Sequence, residues 1–214
     1  MYSQHQEEAV ITKYFESKGT GHFVDIGAYD GITFSNTRRL VELGWSGVMV
    51  EPSPKPFCQL LEHYGKNPAV TLVNSAVVPR CRHEDGGALI AFYDSDGDAL
   101  STSSTSHVEK WKSYRSFVPF YASTCTCKDV LKLAVENTLK SPLGFINLDV
   151  ESQNWALFRE LVELDFGGAS MLCVEHDGMA DEMMGCLKPM GYSMLAYNGE
   201  NLIVAKPVNE LAAH

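Results

Sequence analysis

The residues of this chain best suited to proton chemistry are two acid-rich ends of apolar runs. Gly144-Phe-Ile-Asn-Leu-Asp149 continues into Val150-Glu151, and Ser170-Met-Leu-Cys-Val-Glu175 continues into His176-Asp177. Carboxylates gathered at strand tips share a proton, deprotonate a hydroxyl or bind a divalent cation through oxygen, and residue type alone leaves all three uses open. The candidate catalytic residues are therefore Asp149, Glu151, Glu175 and His176, with Asp149 and Glu175 the pair that would hold a metal. For His176 alone the plainer reading is a hydrogen-bonded strand-end histidine, and only its acidic neighbours raise it.

A second set suits binding. In Phe23-Val-Asp25-Ile-Gly27-Ala28-Tyr29-Asp30-Gly31 an acid ends an apolar strand and two glycines open a turn, where a missing side chain lets backbone approach a ligand closely. The spacing is not the GxGxxG of dinucleotide sites, and Asp25 and Asp30 would repel a diphosphate. A zwitterionic amino acid carrying a sulfonium suits these acids better. Glu51 ends the next strand, 20 positions beyond Gly31, where a carboxylate accepts from ribose hydroxyls. Pro52, Ser53 and Pro54 then hold the chain extended. After a third strand, Asn74-Ser75-Ala76 supplies an amide and backbone groups at the place of an adenine edge, although an Asn there is also a common turn former.

These residues need a frame that brings strand ends together. Helical spacing over 3–18 puts Val10, Ile11, Tyr14 and Phe15 on one face and Glu7, Glu8, Lys13 and Glu16 on the other. Strands follow at 22–26, 47–51, 70–78, 144–149 and 170–175, separated by helices starting near Ser35 and covering Phe57 to Tyr64, 129–139, and 153–164 with Trp155, Phe158 and Val162 inward. Parallel strands joined by amphipathic helices pack as a sheet covered on both faces. A Met-rich helix (Met179, Met183, Met184, Leu187) leads to two short strands about Asn198-Gly199, a dipeptide favouring a type I′ hairpin, so the sheet ends antiparallel. Residues 80–123 break the pattern and read as an irregular insertion. Its stretch 94–121, with Ser101 to Ser106, His107, Trp111, Tyr114 and Arg115, is a candidate lid.

Bulk properties narrow the partners. With 214 residues, 45% hydrophobic and 21% charged, the chain has ordinary globular proportions and is long enough for one domain. Its 17 Lys and Arg against 27 Asp and Glu give a net charge of −10, which argues against nucleic acid or an anionic membrane and for a small-molecule acceptor. The nearest thing to a basic cluster, His107, Lys110, Lys112 and Arg115, reads as solvated surface. The six cysteines form no CxxC pair and read as reduced thiols; the polar start and the lack of an apolar run of ~20 residues point to a cytoplasmic enzyme.

Together these segments resemble the FkbM family of methyltransferases. The likeness rests on Ser3-Gln4 with Glu8, Val24-Asp-Ile-Gly-Ala-Tyr-Asp-Gly31, Ser35-Asn36-Thr37, Gly44-Trp-Ser-Gly-Val-Met-Val-Glu-Pro52, Asn74-Ser-Ala76, Leu148-Asp-Val-Glu151 and Val174-Glu175. It implies a Rossmann-like α/β fold, S-adenosylmethionine as methyl donor, and O-methylation of a hydroxyl on a sugar or other small metabolite. By their positions at the strand ends, Asp25, Gly27, Gly31 and Asp149 are expected to surround the methionine portion, Glu51 the ribose and Asn74 to Ala76 the adenine, while Glu151, Glu175 and His176 face the acceptor. Where the family continues as Asp-Val-Glu-Gly with a further Glu, this chain reads Asp149-Val-Glu-Ser-Gln-Asn154, which keeps a non-catalytic binding module as the alternative. A nucleotide-dependent dehydrogenase is disfavoured by the glycine spacing and Asp30.

Overall fold

Alternating apolar runs and amphipathic stretches become strands and helices in turn: α1 (Glu7–Phe15), β1 (His22–Ile26), α2 (Arg38–Glu42), β2 (Ser46–Val50), α3 (Pro54–Tyr64), β3 (Val70–Val73), β4 (Ala76–Val77), α4 (Arg80–Gly86) and β5 (Leu89–Asp94). The second half continues with α5 (Thr105–Trp111), β6 (Val118–Cys125), α6 (Cys127–Asn137), β7 (Leu143–Leu148), α7 (Asn154–Glu163), β8 (Met171–Glu175), α8 (Ala180–Leu187), β9 (Ser193–Tyr197) and β10 (Asn201–Ala205). The structure, a computed structural model, describes residues 1–86, 88–97, 101–137, 143–151 and 153–207. Parts of the expected lid (98–100) and of the helix at 129–139, and Ser152 of the fourth-strand motif, lie outside the described residues.

The main sheet has the order β3-β2-β1-β7-β8-β10-β9. The five strands from β3 to β8 are parallel to their neighbours, and β10 is antiparallel to both β8 and β9. This is the Rossmann-like sheet of class I methyltransferases, with the expected terminal hairpin. Strand order reverses between β1 and β7, and open α/β sheets bind their ligands at the carboxyl ends beside such a reversal.

Period two then sorts the side chains. Val24, Ile26, Ile146, Leu148 and Val174 bury one face against α6, α7 and α8. Phe23, Phe145, Met171, Cys173 and Ile203 bury the other against α1, α2 and α3. On this second face the alternation carries on toward the carboxyl ends, and register places Asp25 beside Asn147 and Glu175 beside Asn201. A polar row thus crosses the sheet where the apolar one stops.

Several local expectations change. The expected third strand, 70–78, is two strands, because Asn74 turns back to donate from Nδ2 to Glu51 O (2.8 Å) and Pro52 O (3.2 Å). Residues after Asn74 leave the main sheet, and β4 joins β6 and β5 in a small second sheet. The insertion is consequently ordered rather than irregular, built on the antiparallel β5–β6 pair with its own buried cluster of Val78, Ile90, Phe92 and Ala122. The helix expected near Ser35 starts at Arg38, since Ser35 Oγ accepts from the amides of Thr37 and Arg38 and closes the turn ahead of it. Glu7 is buried, not on the polar face of α1, and the inward stripe of α7 is Asn154, Leu157, Phe158 and Leu161 rather than Trp155, Phe158 and Val162. Neither Asn198 nor Gly199 has positive φ, so the hairpin is not type I′. Asn198 instead closes it by accepting at Oδ1 from the amides of Glu200 and Asn201. All six cysteines are free, as expected.

Candidate active site

The carboxyl ends of β1, β2, β7 and β8 open onto a cavity of about 430 Å³ that the insertion closes from the other side. Its floor is the turn after β1. Gly27 has φ +88°, and a Cβ there would stand 1.7 Å from the carbonyl oxygen of Asp149, so only glycine lets β1 and β7 end side by side. Tyr29 holds the left-handed φ of +52° without being glycine. Its strain is offset by two bonds: its amide donates to Glu51 Oε2 (3.0 Å) and its hydroxyl to Gly97 O of the insertion (2.8 Å).

Glu51 also accepts at Oε1 from the amide of Ser53 (2.7 Å), so each carboxylate oxygen receives one backbone donor and keeps a further lone pair. Burial pushes its pKa up to about 7 against the pull of those two amides. Asp25 is held by two side-chain donors. It accepts from Thr37 Oγ1 (2.5 Å) and from Asn147 Nδ2 (2.9 Å), and burial outweighs both bonds and raises its pKa.

At the carboxyl ends of β7 and β8, Asp149, Glu151 and Glu175 stand together. Burial and then the charge of Glu175 raise the pKa of Asp149, burial and then the charge of Asp177 raise that of Glu175, and a hydrogen bond between the two acids requires one of them to hold a proton. Asn154 orients the pair, donating from Nδ2 to Glu175 Oε2 (2.5 Å) and Asp177 Oδ2 (3.1 Å) while Oδ1 accepts from the amide of Val150 (2.8 Å). Glu151, pushed up to about 8 by burial and then by Glu175 and Asp177, faces His107 of α5, whose Nδ1 lies 3.5 Å from Glu151 Oε2. Thr102 Oγ1 donates to the carbonyl of Glu151 (3.2 Å), so the insertion grips this residue twice.

Among the described residues, no three His, Cys, Asp or Glu side chains come together as a metal site. No helix of the described residues is long and apolar enough to cross a membrane.

The methyltransferase FkbM domain matches residues 25–192, spanning all the strand ends that line the cavity except those of the terminal hairpin. The chain belongs to the FkbM methyltransferase family. This methyltransferase takes its methyl group from S-adenosylmethionine. No curated protein matches it. Solved structures with a similar outline include a candidate tRNA (m1A22) methyltransferase of Streptococcus pneumoniae, with TM-score 0.47 and 13% identity over 98% of this chain and 73% of that one. TrmK of M. capricolum, in complex with S-adenosylhomocysteine, gives TM-score 0.45 and 10% identity over 96% and 68% of the two chains. The Podospora anserina methyltransferase PaMTH1, also bound to S-adenosylhomocysteine, gives TM-score 0.45 and 14% identity over 97% and 80%.

The methyltransferase brings most of the expected residues to its cavity: Asp25, Gly27, Ala28 and Tyr29 from the first turn, Ser35 and Asn36 from the next, Glu51, Pro52 and Ser53 after β2, Ser75 and Ala76 at β4, and Asp149, Glu151 and Glu175. Four expectations fall elsewhere. Asp30 caps the turn, accepting from the amides of Ile32 and Thr33. Gly31 packs under α3, where a Cβ would meet the Tyr64 ring at 2.4 Å. Asn74 spends its amide on the backbone after β2. His176 lies off the cavity: Nδ1 accepts from Gly178 N (2.9 Å), Nε2 donates to Asn198 O (3.2 Å), and the ring stacks on Tyr197, the plain strand-end histidine.

His107 takes the place beside the carboxylates that His176 does not reach. It is not solvated surface, since its side chain is 7% exposed while Lys110, Lys112 and Arg115 are exposed. Asn147, Asn154 and Asn201 are further polar residues of the site that sequence reasoning passed over. Period two from Asp149 leads back to Asn147, and the stripe Leu157, Phe158, Leu161 leads back one turn to Asn154.

The cavity fits the donor. Asn147 must present its Nδ2 to the acceptor-only Asp25, so its Oδ1 takes Asn36 Nδ2 (3.0 Å) and Asn36 Oδ1 is left as a buried acceptor without a partner among the described residues. Asn36 and Glu51 thus offer the cavity an unused buried acceptor and free carboxylate lone pairs, the acceptor set that a ligand carrying an ammonium and ribose hydroxyls requires.

Proposed function

We propose that this methyltransferase transfers a methyl group to a hydroxyl of a sugar or other small metabolite, working as a single domain. The observation that carries the reading is a carboxylate, Glu151, held near neutral pKa in the same cavity as the donor residues. S-adenosylmethionine, when bound, supplies an electrophilic methyl group. Protein groups supply alignment and proton removal, because in-line displacement by a hydroxyl needs the nucleophile positioned and its proton accepted.

In this reading Asn36 holds the donor's ammonium, Glu51 its ribose hydroxyls, and the small Ser75 and Ala76 leave room for its adenine. Glu151, with a pKa of about 8, takes the acceptor's proton, and proton uptake is most effective when pKa lies near the working pH. Asp149 and Glu175, sharing one proton and tied by Asn154, fix the wall against which the acceptor sits. His107 sets the orientation of Glu151. Phe92 and Thr102 of the insertion close the cavity over a polar ring.

The test is calorimetric titration with S-adenosylhomocysteine followed by reaction of methyl-labelled donor with a panel of hydroxylated sugars and metabolites. We expect micromolar binding and label in a methyl ether, identified by product NMR. Label recovered only on nitrogen would refute O-methylation, and binding without any turnover would return the protein to a non-catalytic module.

A further inference from the structure

The end of the cavity away from the glycine turn is lined by acids that the methyl donor does not use. Among the described residues that line the cavity there are six carboxylates and a single guanidinium, that of Arg115. Asp25 and Glu51 lie at the glycine-turn end, each accepting two hydrogen bonds from the protein. Asp149, Glu151, Glu175 and Glu200 remain, with Asp177 close behind. Burial raises Asp149, Glu151 and Glu175, so this end of the cavity offers partly ionised acids and free acceptor oxygens, a lining that suits a cationic hydrogen-bond donor.

A second observation is independent of charge. Asn201, at the start of β10 and paired in register with Glu175, is 6% exposed and lines the cavity. Its orientation is imposed from behind, since Glu7 accepts and cannot donate: Asn201 Nδ2 gives its proton to Glu7 Oε1 (3.0 Å), which Asn198 Nδ2 also reaches (2.8 Å). Oδ1 of Asn201 is therefore an acceptor, buried and without a partner among the described residues. A buried acceptor left unmade costs roughly 1–3 kcal/mol, a penalty that a ligand donor removes. Beside it, Glu200 accepts from Gln4 Nε2 (3.2 Å) and meets His5 Nε2 (3.2 Å), which leaves its carboxylate half exposed at the rim.

We propose that Asn201, Glu175 and Glu200 form an ammonium-binding subsite, and that the methyl acceptor is an amine-bearing polyhydroxyl compound of the amino-sugar type. The inference rests on the methyltransferase reading of the cavity. The amine is held by Asn201 Oδ1 and the two carboxylates, which orients a neighbouring hydroxyl toward Glu151 and the donor. Acceptor-only groups select against a neutral sugar at the same position, because a hydroxyl brings fewer donors and no charge.

The experiment compares glucosamine with glucose as probes, by saturation-transfer NMR on the protein saturated with S-adenosylhomocysteine, and repeats the comparison on Asn201→Leu and Glu200→Gln. We expect glucosamine to bind at least tenfold more tightly than glucose, with the preference lost in both variants while affinity for S-adenosylhomocysteine changes less than threefold. Glu200→Gln alters a half-exposed side chain and keeps the test decisive if Asn201→Leu fails to fold. Equal binding of the two sugars by the unmodified protein overturns the proposal. So does a tenfold loss of S-adenosylhomocysteine affinity in Asn201→Leu with the fold intact, which would assign this acceptor oxygen to the donor's own ammonium. Failure of the unmodified protein to bind S-adenosylhomocysteine would instead bring down the methyltransferase reading and the subsite with it.

Discussion

His107 Nδ1 stands 3.5 Å from Glu151 Oε2, so a helix of the insertion rests on a carboxylate of the sheet edge. Ser104 caps that helix, its Oγ accepting from the amide of His107, which fixes the helix start and with it the imidazole. The insertion thereby fixes the surroundings of Glu151, the proton acceptor proposed above. Replacing His107 by Gln should lower turnover by roughly tenfold to a hundredfold, as expected when an acid–base group loses its orienting partner. S-adenosylhomocysteine affinity should stay within a factor of about three, since His107 does not line the donor end. A shifted pH–rate profile with unchanged donor affinity separates this role from simple misfolding.

Stability should fall with rising pH over the range in which the buried acids ionise. Glu151 titrates near 8 and Glu51 near 7 in the folded chain, both above their unfolded value of 4.5. Between the unfolded and folded pKa the native state binds more protons than the unfolded one, so each group stabilises below pH 4.5 and loses that contribution as pH climbs through its folded value. The limiting slope is about 1.4 kcal/mol per pH unit and per group. Around Glu151 the charges that set this slope are Asp149, Glu175, Asp177 and Glu200 against Lys110 and His107. Thermal melts of the ligand-free protein from pH 5 to pH 8.5 should show the decline, and Glu151→Gln should flatten it; a Tm that rises over this interval contradicts the assignment.

Glu51→Gln and Glu51→Ala should separate binding from folding. Both remove the carboxylate proposed to accept from the ribose and should weaken S-adenosylhomocysteine by roughly tenfold to a hundredfold in calorimetry, the loss of one charged hydrogen-bonding group. Alanine also strands the amides of Tyr29 and Ser53 and should cost about 1–3 kcal/mol in denaturant unfolding, whereas glutamine retains one acceptor and should cost less.

Gly27→Ala should prevent native folding or cost at least ~3 kcal/mol, because a Cβ would sit 1.7 Å from Asp149 O and the φ of +88° disfavours any L side chain. Denaturant titration reads the loss. Native stability in this variant would show that β1 and β7 do not end in the contact described.

His176→Gln should leave donor affinity and turnover nearly unchanged while lowering stability by about 1–2 kcal/mol, through its bonds to Gly178 and Asn198. Exhaustive chelation should likewise leave activity intact, because Asn154 already directs an N–H donor at Glu175 Oε2 where a cation would bind. Loss of activity on chelation, restored by magnesium, would reassign Asp149 and Glu175 as metal ligands.

The frame and the strand-end positions of several cavity-lining residues were legible in the amino-acid order. Apolar periodicities of two and 3.6 announce strands and helices, and Gly27, Glu51 and Asp149 each follow immediately on a strand end, so local spacing alone places them on one edge of a parallel sheet. What spacing cannot convey is where side chains go once elements pack. Asn74 turns the chain out of the sheet because two carbonyls await its amide after β2, and Gly31 meets the Tyr64 ring from a helix more than thirty residues along the chain. The sequence favoured His176, which follows an acid at a strand end, over His107, which stands among basic residues of the insertion. Tertiary packing decided between them, tying both nitrogens of His176 to backbone and setting His107 against Glu151 from an insertion whose docking no local pattern encodes.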